Sequence, residues 1–101
     1  MVRVDWAKPA LDDLESVYEF IARDSPRYAR NTIERITEAA GRLAQFPQLG
    51  QVLPEFPNSA YRQLAVGNYR LIYREDSRAG RVIVMGIIHG SRDLSTAFGD
   101  R

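Results

Sequence analysis

Polar and apolar residues alternate at the start of the chain, where Val2, Val4 and Trp6 are separated by Arg3 and Asp5. This is the period-two pattern of a half-buried strand. The period then lengthens. Pro9 suits a first helical turn, and Leu11, Leu14, Val17, Tyr18 and Ile21 form one apolar stripe, predicting a helix that ends near Asp24. Ser25 and Pro26 read as an N-cap followed by proline at the first helical position. Tyr28, Ile33, Ile36, Ala40, Leu43 and Phe46 continue at helical spacing, so a second helix is expected to end before Pro47. The short connection implies an antiparallel helical hairpin, with its apolar stripes buried against each other and a sheet and its outer side charged.

Pro47, Gly50, Pro54 and Pro57 break residues 47–60 into an expected loop without regular structure. Residues 61–66 and 69–75 then flank Gly67-Asn68, a pair suited to a two-residue hairpin turn. Residues 76–80 make a second turn, and residues 82–88 are apolar on both parities, as expected for a strand covered on both faces. The pattern predicts an α+β fold in the order β-α-α-β-β-β: an N-terminal strand, the helical hairpin, and three antiparallel strands forming one sheet.

Parity within the strands sorts the candidate chemistry. Tyr69, Leu71 and Tyr73 share one side of their strand and suit the helix-covered face, leaving Arg70, Ile72 and Arg74 on the other. His89 closes the set Ile83, Met85 and Ile87 on the last strand. Counting outward from Gly67-Asn68 pairs Val66 with Tyr69, Ala65 with Arg70 and Arg62 with Tyr73, which places Arg62 on Tyr73's face. A longer turn or a bulge would instead bring Arg62 beside Arg70 on the open face, and the sequence leaves both placements standing.

Composition narrows the classes. A chain of 101 residues with 45% apolar content builds one core, so residues 1–101 are expected to form a single domain. It has no cysteine and a single histidine, so no metal or other cofactor is expected. The apolar run at residues 82–88 is far shorter than the roughly 20 residues of a membrane helix. The N-terminus lacks a signal-peptide layout, and the cytoplasm is the expected location. Net charge is +1, but residues 60–101 carry seven basic and four acidic groups, a modest preference for an anionic partner. Thirteen of the fourteen basic residues are arginine, which can stabilise developing negative charge but cannot remove a proton near neutral pH.

The motifs L-A-Q-F-P-Q-L-G, Y-R-Q-L-A-V-G-N-Y-R-L-I-Y and V-I-V-M-G-I-I-H-G-S-R-D, in this order, cover most of the chain. Together they resemble the RelE/ParE toxin superfamily, and the I-I-H-G-S-R-D ending followed by Leu94 is similar to the ParE branch. The resemblance implies a mixed sheet with a helical hairpin on one face. It further implies the toxin of a type II toxin-antitoxin pair, held in a hetero-oligomer with a cognate antitoxin. ParE-like members act on DNA gyrase and turn it into a source of DNA breaks; RelE-like members cut mRNA on the ribosome.

Metal-free RNA cleavage needs a base, an acid and cations around the phosphate. By the resemblance, Arg70 matches one catalytic arginine of RelE-like nucleases and Arg92 a second, while His89 is the obvious proton-transfer candidate. The lysines that such enzymes place in the preceding loop are missing, since Lys8 is the sole lysine, and residues 94–101 contain no tyrosine. Each residue also has a plainer reading: His89 as a hydrogen-bonded structural residue, Arg92-Asp93 as a local ion pair, the strand tyrosines as packing, and Trp6 as core. The first expectation is a ParE-like gyrase poison that needs no catalysis, with Arg62, Arg70, His89, Arg92 and Asp93 as target-binding candidates. The alternative is a RelE-like, ribosome-dependent mRNA endonuclease using Arg70, His89 and Arg92. A third reading keeps the fold and partner without toxicity. Exposed apolar patches are expected on the toxin without its antitoxin.

Overall fold

The computed structural model of the chain describes residues 1–91, so Arg92 and Asp93 lie outside the described residues. Its elements are β1 (Arg3–Trp6), α1 (Lys8–Ala22), α2 (Pro26–Arg42), β2 (Gln51–Val52), β3 (Tyr61–Val66), β4 (Tyr69–Asp76) and β5 (Arg81–His89). The strands form one mixed sheet in the order β1-β5-β4-β3-β2, with β1 parallel to β5 and the other pairs antiparallel.

Local chemistry explains the helix ends. The Ser25 hydroxyl accepts from the Tyr28 amide at 3.1 Å, and Pro26 occupies the first turn, as the sequence led us to expect. α2 stops at Arg42, short of the expected end at Phe46. There the Leu43, Ala44 and Gln45 amides turn to carbonyls three residues back. Leu43 therefore stays buried while Phe46 swings out to 58% exposure.

The Gly67-Asn68 turn fixes the register as counted: Val66 pairs with Tyr69, Ala65 with Arg70 and Arg62 with Tyr73. Gly67 has φ +57° and Asn68 has no positive φ, the signature of a turn with glycine at its first central position. The open question about Arg62 is thereby decided in favour of Tyr73's face.

Two expectations need correction. The loop at residues 47–60 contains a strand, since Gln51 pairs with Gln63 and Val52 with Arg62. Two residues are too few to show a period. The last strand also changes parity midway. Ile72 pairs with Gly86 but Tyr73 with Val84, leaving Met85 as an extra residue in a bulge. Ile87 and His89 consequently share the helix-covered face with Val82 and Val84, whereas Ile83 and Met85 do not. Next to the bulge, the Ile87 amide donates to the Asp13 carboxylate of α1 at 2.9 Å, so the backbone there is satisfied from the helix.

Both faces of the sheet are covered. On one, Ala10, Val17, Ile36, Ala40 and Leu43 of the hairpin region pack on Leu71, Tyr73, Val82, Val84 and Ile87, with Trp6, Tyr69 and Val66 alongside. On the other, Leu53 and Phe56 from the loop after β2 cover Ile72, Ile88, Tyr61 and Met85.

Candidate functional site

β4 separates the two described residues that carried the nuclease expectation. Arg70 pairs with Ile88 and Tyr69 with His89 in adjacent positions, so successive side chains put Arg70 on the loop-covered face and His89 on the helix-covered face. Arg70 and His89 do not meet.

The Arg70 guanidinium is held on three points. Nη2 donates to Glu55 Oε2 at 3.0 Å, while Nη1 donates to Glu55 Oε1 at 3.3 Å and to Gln63 Oε1 at 2.9 Å. The Arg70 side chain is 13% exposed and that of Glu55 22%. This forked geometry is the strong form of an arginine–carboxylate pair. Its chemical effect is to offset the charge that a phosphate would seek.

Arg62 serves the backbone. It donates from Nη1 to the Gly50 carbonyl at 2.9 Å, while the Gly50 amide donates to the Tyr73 hydroxyl at 2.8 Å. Burial pushes the Tyr73 phenol up from its ordinary value, against the opposing effects of its Gly50 hydrogen bond and the Arg62 charge. Gly50 has no room for a side chain: a Cβ would lie 2.5 Å from the Gln63 carbonyl oxygen and 2.8 Å from the Tyr73 ring.

His89 closes β5 at the surface. Its ring meets Tyr69 edge-on at 5.7 Å between centroids, and Nδ1 lies 2.8 Å from the Ser91 hydroxyl. Beside it runs a groove between the sheet end and the hairpin. One hollow of about 250 Å³ is lined by Phe20, Asp24, Tyr28 and Tyr69, and another of about 410 Å³ by Asp13, Val17, Phe20 and Ile87. Phe20 is 63% exposed and Tyr28 52%, so aromatic side chains stand open to water here beside the polar Asp13, Asp24 and His89.

The sequence did not mark Glu55, Gln63 or Asp13 for this site, and it marked Gly50 only as a breaker of the loop. Gln63 was within reach, because the counted register puts it on the same parity as Ala65, opposite Arg70. Glu55 sits in a proline-broken loop whose path no local spacing specifies.

Among the described residues, no three His, Cys, Asp or Glu side chains come together as metal ligands, and no helix is long and apolar enough to cross a membrane. Among the described residues, the surface carries this groove with its exposed aromatic side chains beside His89.

A five-stranded mixed sheet with a helical hairpin on one face and a loop over the other defines a small toxin class of the kind that the sequence motifs resemble. The model of the ParE toxin of type II toxin-antitoxin systems matches residues 4–94, and the chain belongs to that family. Among solved structures, a chain of the chromosomal ParDE system from P. aeruginosa superposes with a TM-score of 0.73 at 20% identity, covering 88% of this chain and 96% of that one. A chain of the RelBE2 toxin-antitoxin complex from Mycobacterium tuberculosis gives a TM-score of 0.61 at 25% identity, covering 87% and 90%. The isolated E. coli RelE toxin gives 0.65 at 13% identity, covering 99% and 96%. Comparison with curated proteins yields no match. The fold is thus common to ParE and RelE toxins, and the family model that matches is that of ParE.

Proposed function

We propose that this type II toxin arrests growth by binding DNA gyrase and trapping it with broken DNA, and that a cognate antitoxin neutralises it by forming a hetero-oligomer. It acts in the cytoplasm as a single domain and uses no cofactor.

One observation carries the choice of a binding poison over a nuclease. Of the three nuclease candidates, the two that are described, Arg70 and His89, lie on opposite faces of the sheet, and Arg70 is engaged by Glu55. A phosphate cannot touch both. Binding a protein target makes no such demand.

The antitoxin reading is supported by the family, and by Leu11, Phe20 and Tyr28, which stand at 50% exposure or more on the hairpin. Surfaces of this kind are costly to leave in water without a partner.

Inducing the chain alone in a bacterial host, while following chromosomal breaks and mRNA 5′ ends together, tests the proposal. Gyrase-dependent breaks with intact messages are expected. Intact DNA with codon-periodic cleavage of translated messages would establish the nuclease instead, and harmless expression would remove toxicity altogether.

A further inference from the structure

Glu55 reaches Arg70 from a loop that has anchors of its own. Leu53, two residues earlier, is fully buried, and Phe56, the next residue, packs on the same cluster with Ile72 and Ile88. The Phe56 amide donates to the Leu53 carbonyl at 3.2 Å, and the Ser59 amide to the Phe56 carbonyl at 3.1 Å. Burial and backbone bonds on both sides of Glu55 therefore hold it over the sheet. A change of its side chain leaves those anchors in place.

Carboxylate and phosphate are the two anions whose paired oxygens match a guanidinium fork. Glu55 takes the Arg70 fork with both oxygens, at 3.0 and 3.3 Å, and so stands where two phosphate oxygens would stand. Next to Arg70 lies a hollow of about 240 Å³, lined also by Leu49, Gln51 and Gln63. A water molecule takes about 30 Å³, so there is room for a group of phosphate size. Among the described residues of that lining, Arg70 is the one that carries charge. Gln63 accepts from Arg70 through Oε1, which leaves its NH2 group as a donor. Space and donors suit an anion, but the charge balance does not. A phosphate entering here would meet the Glu55 anion together with the Arg70 cation, so attraction and repulsion oppose each other while its desolvation cost remains.

We propose that Glu55 determines specificity by keeping nucleic-acid phosphate off Arg70, so that the chain spares RNA and acts on a protein target. This rests on the reading of the chain as a binding toxin and supplies a reason for it.

The test measures binding of a fluorescein-labelled single-stranded RNA oligonucleotide to the full purified chain by anisotropy. Glu55→Gln keeps the shape of the side chain and removes its charge, and Glu55→Ala removes the acceptor as well. Circular dichroism spectra verify that each variant folds. Both variants are expected to bind the RNA about tenfold or more tighter than the wild type, on the scale of a hydrogen-bonded charge no longer cancelled. The plot of log affinity against log salt should steepen by about 0.7, the amount for one phosphate contact on a single strand. Glu55→Gln/Arg70→Gln, whose net charge equals that of the wild type, should lose the gain. Glu19→Gln adds the same charge at an exposed position on α1 and should leave binding unchanged. RNA affinity that neither Glu55 variant raises would overturn the proposal and leave the binding-toxin reading intact. A gain that Glu19→Gln reproduces, or that survives loss of Arg70, would assign the effect to net charge and overturn it as well. Inorganic phosphate that displaces the RNA from Glu55→Gln at equal concentration would make the site one for free phosphate and overturn the nucleic-acid assignment. Wild-type chain that binds RNA as tightly as Glu55→Gln, through Arg70, would overturn the proposal and count against the binding-toxin reading too.

Discussion

Arg70 and Glu55 form a forked ion pair on the loop-covered face of the sheet, with Nη2 3.0 Å from Oε2 and Nη1 3.3 Å from Oε1. The pair ties the loop after β2 to the central strand of the sheet. Arg70→Ala removes three hydrogen bonds, two to Glu55 and one to Gln63. A stability loss of about 1–3 kcal/mol is expected from lost hydrogen bonds to charged groups, read as a lower urea midpoint. Toxicity at equal folded concentration should persist; its disappearance would return Arg70 to a direct role.

Tyr73 and Arg62 hold Gly50 by its amide and its carbonyl, and this places β2 against β3. Gly50→Ala forces a methyl group into the Gln63 carbonyl and the Tyr73 ring. A loss of about 1–3 kcal/mol is expected from overpacking, seen as a lower Tm. Tyr73→Phe removes the acceptor from a buried amide, and a loss of about 1–3 kcal/mol is expected from that unsatisfied group.

The same tyrosine gives an alkaline signature. Burial raises its folded pKa, so the native state holds the phenol proton more tightly than the unfolded chain, where it leaves near 10. The contribution to stability is complete below pH 10 and is lost as pH rises through the folded value. Urea midpoints measured from pH 9 to 11.5 should fall more steeply for the wild type than for Tyr73→Phe. Parallel curves would place the proton linkage elsewhere.

His89 offers a separate check on catalysis. Removing a proton-transfer group from an enzyme typically costs about 10²–10⁴ in rate. With no such role, His89→Asn should lower growth inhibition by less than about tenfold at equal expression, within the range of one weakened contact. A collapse of inhibition by two orders of magnitude would argue for proton transfer.

How much of this was legible in sequence differs by residue. The hairpin register could be counted from Gly67-Asn68, but the sequence left the face of Arg62 open because a longer turn or a bulge would move it; the structure decides it, since the turn has two residues and Arg62 pairs with Tyr73. The helical hairpin followed from apolar spacing and from Ser25-Pro26. The bulge at Met85 was hidden because β5 is apolar on both parities, so a change of face leaves no mark in the pattern. Ile87 and His89 were therefore assigned to a set with Ile83 and Met85 that the structure divides. Glu55 was hidden for a different reason: a loop with three nearby prolines has no period, and its contact with Arg70 spans fifteen residues.

The central claim is that the chain poisons gyrase by binding it. The most direct measurement mixes the purified chain with purified gyrase, ATP and supercoiled plasmid, then denatures the protein and digests it with protease before electrophoresis. Accumulation of linear plasmid that depends on both proteins, and that Arg70→Ala retains, is the result expected. Normal supercoiling without linear product, together with cleavage of mRNA on ribosomes by the same preparation, would contradict it.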